Sequence, residues 1–211
     1  MILFDIELEI LTLGRFSISV KGEPVATDWP NETLKAFFCS LLSPLALVIT
    51  WEQICRSMLG VPETPAWRHR LEDIFIQPLN SFLIKELGFN PIIIGHEGIR
   101  IDMHTIHMDT FEFHSTAVEG LRLLSHGDHT AAHEKLIRAK SLYVGCYLPG
   151  IPGKIISNTR NDLESLYLTA ILDALPLTRV FGCSGLIRSS EPGLYLHTSR
   201  RPFQTMNYGH E

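Results

Sequence analysis

Six of the ten histidines in this 211-residue sequence lie between positions 104 and 133, where they could act as metal ligands. They are His104, His107, His114, His126, His129 and His133. His129 and His133 stand four residues apart on a predicted helix, so both would project from one face at a spacing that suits metal ligation. Neither begins an HExxH motif, because Ile137 stands where the second histidine is needed. Zinc normally needs three or four protein ligands, which favours a solvated helix face over a metal site.

Motifs typical of enzymes are missing from the sequence. It contains no GxSxG, no P-loop and no GxGxxG, and no nucleophile stands beside a plausible base. Cys39, Cys55, Cys146 and Cys183 are widely scattered without a CxxC pair, which argues against a zinc ribbon or a thioredoxin-type site. The sequence therefore predicts a protein that is not an enzyme and binds no cofactor or metal.

The stretch "WRHRLEDIFIQPLNSFLIKELGF", residues 67–89, offers binding chemistry of another kind. Its apolar residues recur at three-and-four spacing, which predicts one long helix with a single buried face. The predicted buried residues are Leu71, Ile74, Phe75, Leu79, Phe82, Leu83 and Leu87. The predicted outward residues are His69, Arg70, Asp73, Gln77, Asn80 and Ile84. Basic side chains bind phosphates and Gln or Asn can pair with adenine edges, so this outward face is a candidate DNA-reading surface.

The candidate DNA contacts combine this helix with a predicted hairpin that follows it. They are Arg68, Arg70, Gln77, Asn80, Lys85, His96 and Arg100. The alternative for each is an ordinary solvated polar side chain. Residues 1–105 hold eight Lys or Arg and thirteen Asp or Glu, so this half carries the whole net charge of −5. That acidity predicts weak non-specific DNA binding.

Pro78 lies in the middle of the predicted helix and allows two interpretations. Inside a helix it costs about 3 kcal/mol and kinks the axis. As the first residue of a second helix it does no harm, because its missing N–H would be unpaired there anyway. The apolar spacing continues across Pro78, which favours one kinked helix.

The elements around the helix predict a winged helix-turn-helix with an N-terminal β-meander. Short alternating runs over residues 7–20, with a turn at "KGEP", predict the meander. Asn31 is a predicted cap for a helix over 32–43, and Thr50 with Gln53 forms a predicted capping box for a helix over 51–59. Apolar runs at 91–94 and 99–102 around "GHEG" predict the wing.

From Asp109 onward the pattern is helical, so the predicted fold class is α+β followed by all-α. Helices are predicted over 109–125, 129–144 with Asp128 as its cap, and 158–175, ended by Pro176. In the first of these, the predicted inward residues are Phe111, Ala117, Val118, Leu121 and Leu124. In the second, they are Ala132, Leu136, Ala139 and either Leu142 or Tyr143. Helix pairs of this length indicate a tetratricopeptide-like domain over 106–176, after a winged-helix domain over 1–105 and before an irregular tail over 177–211.

The longest apolar run, "AFFCSLLSPLALVIT" at 36–50, is shorter than the roughly 20 residues needed to span a bilayer, and Pro44 interrupts it. It is better explained by a buried helix that leads into a short buried strand. The start, "MILFDIELEI", lacks the basic region and cleavage site of a signal peptide. We therefore expect a cytoplasmic protein without membrane contact.

Several segments resemble the antibiotic-pathway regulatory protein family, which joins a response-regulator-type winged helix to a bacterial transcriptional activator domain. The resembling segments are "EILTLGRFSISVKGEPV", "ITWEQICRSMLG", "GHEGIRID", "MDTFEF", "HGDHTAAHEKLIRAKSLYVGCYLPGI" and "RNDLESLYLTAILDAL". The chain departs from the family at "NSFLIKEL", where Lys85 alone stands in place of several arginines, at Pro78, and in its irregular end.

The resemblance implies a transcriptional regulator that binds double-stranded DNA through the winged helix. Its helical domain would then form a homodimer or contact a protein partner. The alternative is a protein-interaction module whose winged helix has lost DNA binding, and the departure at "NSFLIKEL" keeps that alternative open.

Overall fold

The computed structural model describes residues 8–25, 28–44, 48–104 and 106–182. The strands are β1 (Leu8–Leu11), β2 (Ser17–Val20), β3 (Glu23–Val25), β4 (Ile49–Thr50), β5 (Ile92–Ile94), β6 (Gly98–Ile101) and β7 (Ile106–Met108). The helices are α1 (Glu32–Leu41), α2 (Trp51–Ile54), α3 (Pro65–Leu71), α4 (Gln77–Leu87), α5 (Asp109–Ser125), α6 (His129–Leu142), α7 (Lys154–Tyr167) and α8 (Leu175–Gly182). Wider π-helical turns at Cys55–Leu59, Glu72–Ile76 and Leu168–Ala174 extend α2, join α3 to α4, and join α7 to α8.

The predicted β-meander is confirmed, with one strand added to it. Strands β1, β2 and β3 are antiparallel neighbours, and β2 turns into β3 at Lys21 and Gly22, which both have positive φ. The added strand is β7, which pairs with β1 in parallel, in the sheet order β3-β2-β1-β7. A strand from residues 106–108 therefore completes the sheet formed at the start of the chain.

The winged-helix part has its predicted caps and hairpin. The side chain of Asn31 accepts from the Leu34 N–H at the start of α1, and Thr50 forms a capping box with Gln53 at the start of α2. Strands β5 and β6 form the hairpin, and β4 adds to its other edge. Helix α1 and the joined helix α3–α4 pack with these strands on a core that includes Phe37, Trp51 and Leu83.

Pro78 is accommodated within one helical stretch from Pro65 to Leu87. It is the second residue of α4, directly after the wide turn at Glu72–Ile76, whose end is marked by the Gln77 N–H donating to the carbonyl of Glu72. This turn lengthens the hydrogen-bond spacing where the missing N–H of proline would interrupt the ladder. The wide turn also rotates the helix phase, so the prediction for Ile74 was wrong: Ile74 is 46% exposed and Ile76 is buried instead.

Helix α5 spans the predicted residues but buries a partly different face. Phe113, Ala117 and Gly120 are buried, whereas Val118 is exposed, which corrects its predicted inward position. Phe111 packs against the core of the winged-helix part. Helix α6 begins at the predicted cap, where the Asp128 carboxylate accepts from the Ala131 N–H. Its predicted inward residues Ala132, Leu136 and Ala139 are buried.

The last helical stretch is longer than predicted at both ends. It begins at Lys154 and continues through Pro176 to Gly182, so the predictions that it starts near 158 and ends at Pro176 were wrong. Pro176, like Pro78, is the second residue of a helix that follows a wide π-helical turn. The predicted irregular tail thus begins with helix, and residues 183–211 lie outside the described ranges.

A buried carboxylate joins the two parts of the chain. Asp109, the first residue of α5, is 7% exposed, and its oxygens accept from the N–H of Thr12 at 2.8 Å and of Leu13 at 2.9 Å. The Thr12 hydroxyl donates to the same carboxylate at 2.7 Å, and the Thr110 N–H does so at 2.8 Å. The end of β1 is therefore fixed to the start of the helical part by charge-assisted hydrogen bonds.

The loop after α6 adds further links across this junction. The Leu148 N–H donates to the Thr12 carbonyl at 2.7 Å, and the Gly14 N–H donates to the Cys146 carbonyl at 2.9 Å. The same loop also contacts α7, where the Arg160 guanidinium donates to the carbonyl of Leu148 at 2.7 Å. The two parts of the chain are thus connected by backbone pairing as well as by side chains.

We predict that Asp109→Asn lowers the free energy of unfolding by about 2–4 kcal/mol, because the amide removes the charge and turns an NH2 group toward buried donors. Urea unfolding followed by circular dichroism measures the change, with the exposed Asp162→Asn as control. A loss below about 0.5 kcal/mol, the usual range of surface substitutions, would contradict this role.

Gly120 and Leu136 allow a test of how α5 and α6 pack. A Cβ at Gly120 would lie 2.7 Å from Leu136 Cδ2, so Gly120→Ala should destabilise by about 1–3 kcal/mol through overpacking. Leu136→Ala should cost about 2–5 kcal/mol on its own, since Leu136 is fully buried. In the Leu136→Ala background, Gly120→Ala should become neutral or stabilise by up to about 1 kcal/mol, because only its helix propensity remains. A double-mutant cycle in urea measures this, and equal effects in both backgrounds would contradict it.

Candidate nucleic-acid interface

Arg68, one of the predicted DNA contacts, is used within the fold. Its guanidinium lies 4.3 Å from the centre of the Trp51 ring, and its nitrogens approach the carbonyl oxygens of Gly95 and His96 at 3.5 Å. The Trp51 indole N–H donates to the same two carbonyls, at 3.2 and 3.0 Å. Trp51 and Arg68 together therefore fix α3 against the β5–β6 hairpin. Trp51 was not predicted as part of this site, and its only signal in the sequence was a large aromatic residue directly after a capping threonine.

Two of the predicted base-reading residues differ in their surroundings. Gln77 is exposed, and its amide donates to the Asp73 carboxylate at 3.3 Å. Asn80 is half-buried, and its side-chain oxygen is shielded from solvent without a hydrogen-bond partner in the described ranges. The prediction that Asn80 faces outward is therefore corrected, and Gln77 is the more accessible of the pair.

Arg70, Lys85, His96 and Arg100 have exposed side chains. The guanidinium of Arg70 lies 5.4 Å from the centre of the Trp67 ring, and Lys85 forms an ion pair with the neighbouring Glu86 at 3.0 Å. Arg100, on β6, forms no ion pair within residues 8–25, 28–44, 48–104 and 106–182. The helix and the hairpin thus present three accessible cations, those of Arg70, Lys85 and Arg100.

Acidic neighbours offset most of the positive charge on the α3–α4 helix. Glu72 lies 3.9 Å from the guanidinium of Arg68 and 3.8 Å from the ring of His69, which also approaches Asp73 at 3.7 Å. The stretch from 65 to 87 carries three Lys or Arg and three Asp or Glu, so it has no net charge with histidine neutral. A surface of this kind gains little from counterion release on DNA.

The loop that leads into α3 is stabilised by a hydrogen bond to Glu52. The Glu52 carboxylate accepts from the Glu63 N–H at 2.8 Å and also pairs with Arg56. These two contacts lower the pKa of Glu52 below its usual value. The hydrogen bond from the Glu63 N–H has the larger effect, and the hydrogen bond from Arg56 has the second largest. Arg56 is thus an exposed cation with an acidic partner, as Lys85 is, and it lies outside the α3–α4 helix and the hairpin.

Apolar side chains are also exposed on the helix and the hairpin. Ile84 is 53% exposed, as predicted, and Ile74 and Ile94 are exposed too. Exposed isoleucines are rare in surfaces that bind phosphate and more typical of surfaces that bind protein.

The clustered histidines serve as surface and packing residues where the structure describes their contacts. His133 Nδ1 lies 2.7 Å from the Thr178 hydroxyl, which links α6 to α8, and His107 pairs with Glu112 at 3.3 Å. Across the described residues, no group of three or more His, Cys, Asp or Glu is arranged to hold a metal ion. Nor does any helix there have the length and apolar character that a bilayer crossing requires.

No family model and no curated protein matches the sequence. A solved structure of EmbR from Mycobacterium tuberculosis, in complex with a low affinity phosphopeptide, is similar in fold with a TM-score of 0.52 and 16% sequence identity. The similarity covers 82% of this chain and 43% of the EmbR chain, so this chain spans less than half of EmbR. At this identity the likeness concerns the fold, and it agrees with a strand-rich winged-helix part followed by helices.

We predict that Arg68→Ala lowers the free energy of unfolding by about 1 kcal/mol, because it removes the cation–π contact with Trp51 and the packing of the arginine stem. Arg70→Ala should cost less than half as much, since Arg70 is exposed and more distant from its tryptophan. Urea unfolding of the two variants measures the difference. Equal losses would mean that Arg68 has no special structural role.

Proposed function

We propose that the chain acts in transcription regulation and holds double-stranded DNA weakly through its winged helix. The supporting observation is that Arg70, Gln77 and Lys85 are exposed on the helix and that Arg100 is exposed on the hairpin. In a winged helix this helix enters the major groove, and the hairpin lies near the backbone. The resemblance of the sequence to the antibiotic-pathway regulatory family supports this proposal, and the likeness in fold to EmbR agrees with a winged-helix part followed by helices.

The charges argue for low affinity in the isolated chain. Three accessible cations can release few counterions, and the acidic neighbours on the helix oppose phosphate binding. DNA binding at useful strength would then need a second copy of the chain or a protein partner. The helical part offers a surface for such a partner, since Leu168 and Leu172, four residues apart on the last helical stretch, are both exposed.

The second candidate function is a protein-interaction module that does not bind DNA. Ile74 and Ile84 favour it, because both are about half exposed on the helix that would otherwise face the groove. The absence of net charge from 65 to 87 favours it as well. Both functions place the contact surface on the α3–α4 helix, so one titration with DNA separates them.

We expect a fluorescent DNA duplex to bind the wild-type chain at about 50 mM salt, where any phosphate contacts are favoured. Arg70→Ala/Arg100→Ala should abolish most of this binding, because it removes two of the three accessible cations without removing Arg68 from its place against Trp51. Lys140→Ala/Lys154→Ala, two exposed lysines of the helical part, makes the same charge change away from the face and should leave binding nearly unchanged.

The salt dependence of DNA binding gives the number of phosphate contacts. With three phosphate contacts, the logarithm of the binding constant should fall against the logarithm of salt with a slope of about −2.7. If the wild type does not bind at about 50 mM salt, or if both double variants bind alike, DNA recognition by this face is refuted and the interaction-module function stands.

A further inference from the structure

A cavity of about 300 Å³ lies where the winged-helix part meets the helical part. It is lined by the end of α1, the β5–β6 hairpin, the segment 102–104 and the start of α5. Its volume is at the lower end for small-molecule sites, and boundaries between structural units are where such sites are common. No residue of α3 or α4 lines it, whereas Arg100 of β6 lines it and is also a candidate DNA contact.

Apolar side chains form most of the cavity wall. Ile101 and Met108 are buried, whereas Ile93, Met103 and Phe111 are half-buried and present part of their surface to the cavity. The wall combines two methionine side chains, which adapt to irregular shapes, with one aromatic ring. This lining suits an apolar group of a few carbon atoms or a single ring.

Arg100 is the one Lys or Arg among the described residues that line the cavity. The Ser43 hydroxyl is paired with that of Thr159 at 2.8 Å, and the Asp102 carboxylate accepts from the His104 N–H at 3.1 Å. The Arg100 guanidinium has neither an ion pair nor a hydrogen bond among the residues that the structure describes. Since Asp102 contributes a negative charge nearby, the cavity favours a ligand with one negative charge over a dianion.

We propose that this cavity binds a small monocarboxylic acid with an apolar body. The carboxylate would form a paired hydrogen bond with the Arg100 guanidinium, whose fork matches carboxylate geometry. The apolar body would pack on Met103 and Phe111. Because Arg100 lies on β6 and Phe111 on α5, the ligand would connect the hairpin to the helical part.

The test uses benzoate as the probe and the full chain. Isothermal titration calorimetry should give saturable binding with a dissociation constant of about 1 mM or lower. Benzyl alcohol has nearly the same shape without the charge, and acetate has the same charge with a methyl group in place of the ring, so both should bind at least about tenfold more weakly. Arg100→Gln should weaken benzoate binding by about tenfold or more, whereas the control Lys140→Gln, an exposed cation of α6 away from the cavity, should not.

Location is tested independently by nuclear magnetic resonance. Benzoate should shift the backbone amide signals of Met103 and Phe111 and leave those of α6 unchanged. The proposal is overturned if benzoate does not bind up to about 10 mM, if benzyl alcohol or acetate binds as tightly as benzoate, if Arg100→Gln binds like the wild type, or if the shifts lie elsewhere. None of these readouts uses DNA, so the outcome is separate from that of the proposed function.

Discussion

The buried carboxylate of Asp109 is the interaction on which the arrangement of the two parts depends. Burying an anion is costly, and here the cost is offset by backbone N–H groups from Thr12, Leu13 and Thr110 and by the Thr12 hydroxyl. Its position at the first residue of α5 adds the favourable field of the helix N-terminus. One side chain thus satisfies the donors at the end of β1 and begins the helical part.

The winged-helix part is positioned by contacts that use one of its predicted DNA-binding side chains. Arg68 reaches Trp51 and the carbonyls of the hairpin, so the cation at the start of the helix contributes to packing more than to phosphate binding. Glu72 and Asp73 stabilise this end of the helix but cancel its charge. The exposed arginine and lysine side chains of the α3–α4 helix and the β5–β6 hairpin are therefore Arg70, Lys85 and Arg100, and Arg100 also lines the cavity.

The two internal prolines show how a helix continues where its hydrogen-bond ladder lacks a donor. Pro78 and Pro176 each follow a wide π-helical turn and occupy the second position of the next helix. The wide turn also changes which side chains point inward, because it adds a residue to one turn. The burial of Ile76 and the exposure of Ile74 follow from this change of phase.

The sequence by itself determined the features that arise from interactions within a few residues. The caps at Asn31, Thr50 and Asp128, the hairpin and the inward face of α6 were all predictable, because capping and periodicity act over one or two turns. Only the tertiary structure decided the parallel pairing of β7 with β1 and the role of Asp109, since their partners lie about a hundred residues away in sequence. It also decided that Arg68 packs inward and that Asn80 is shielded, because the availability of a side chain depends on what packs against it.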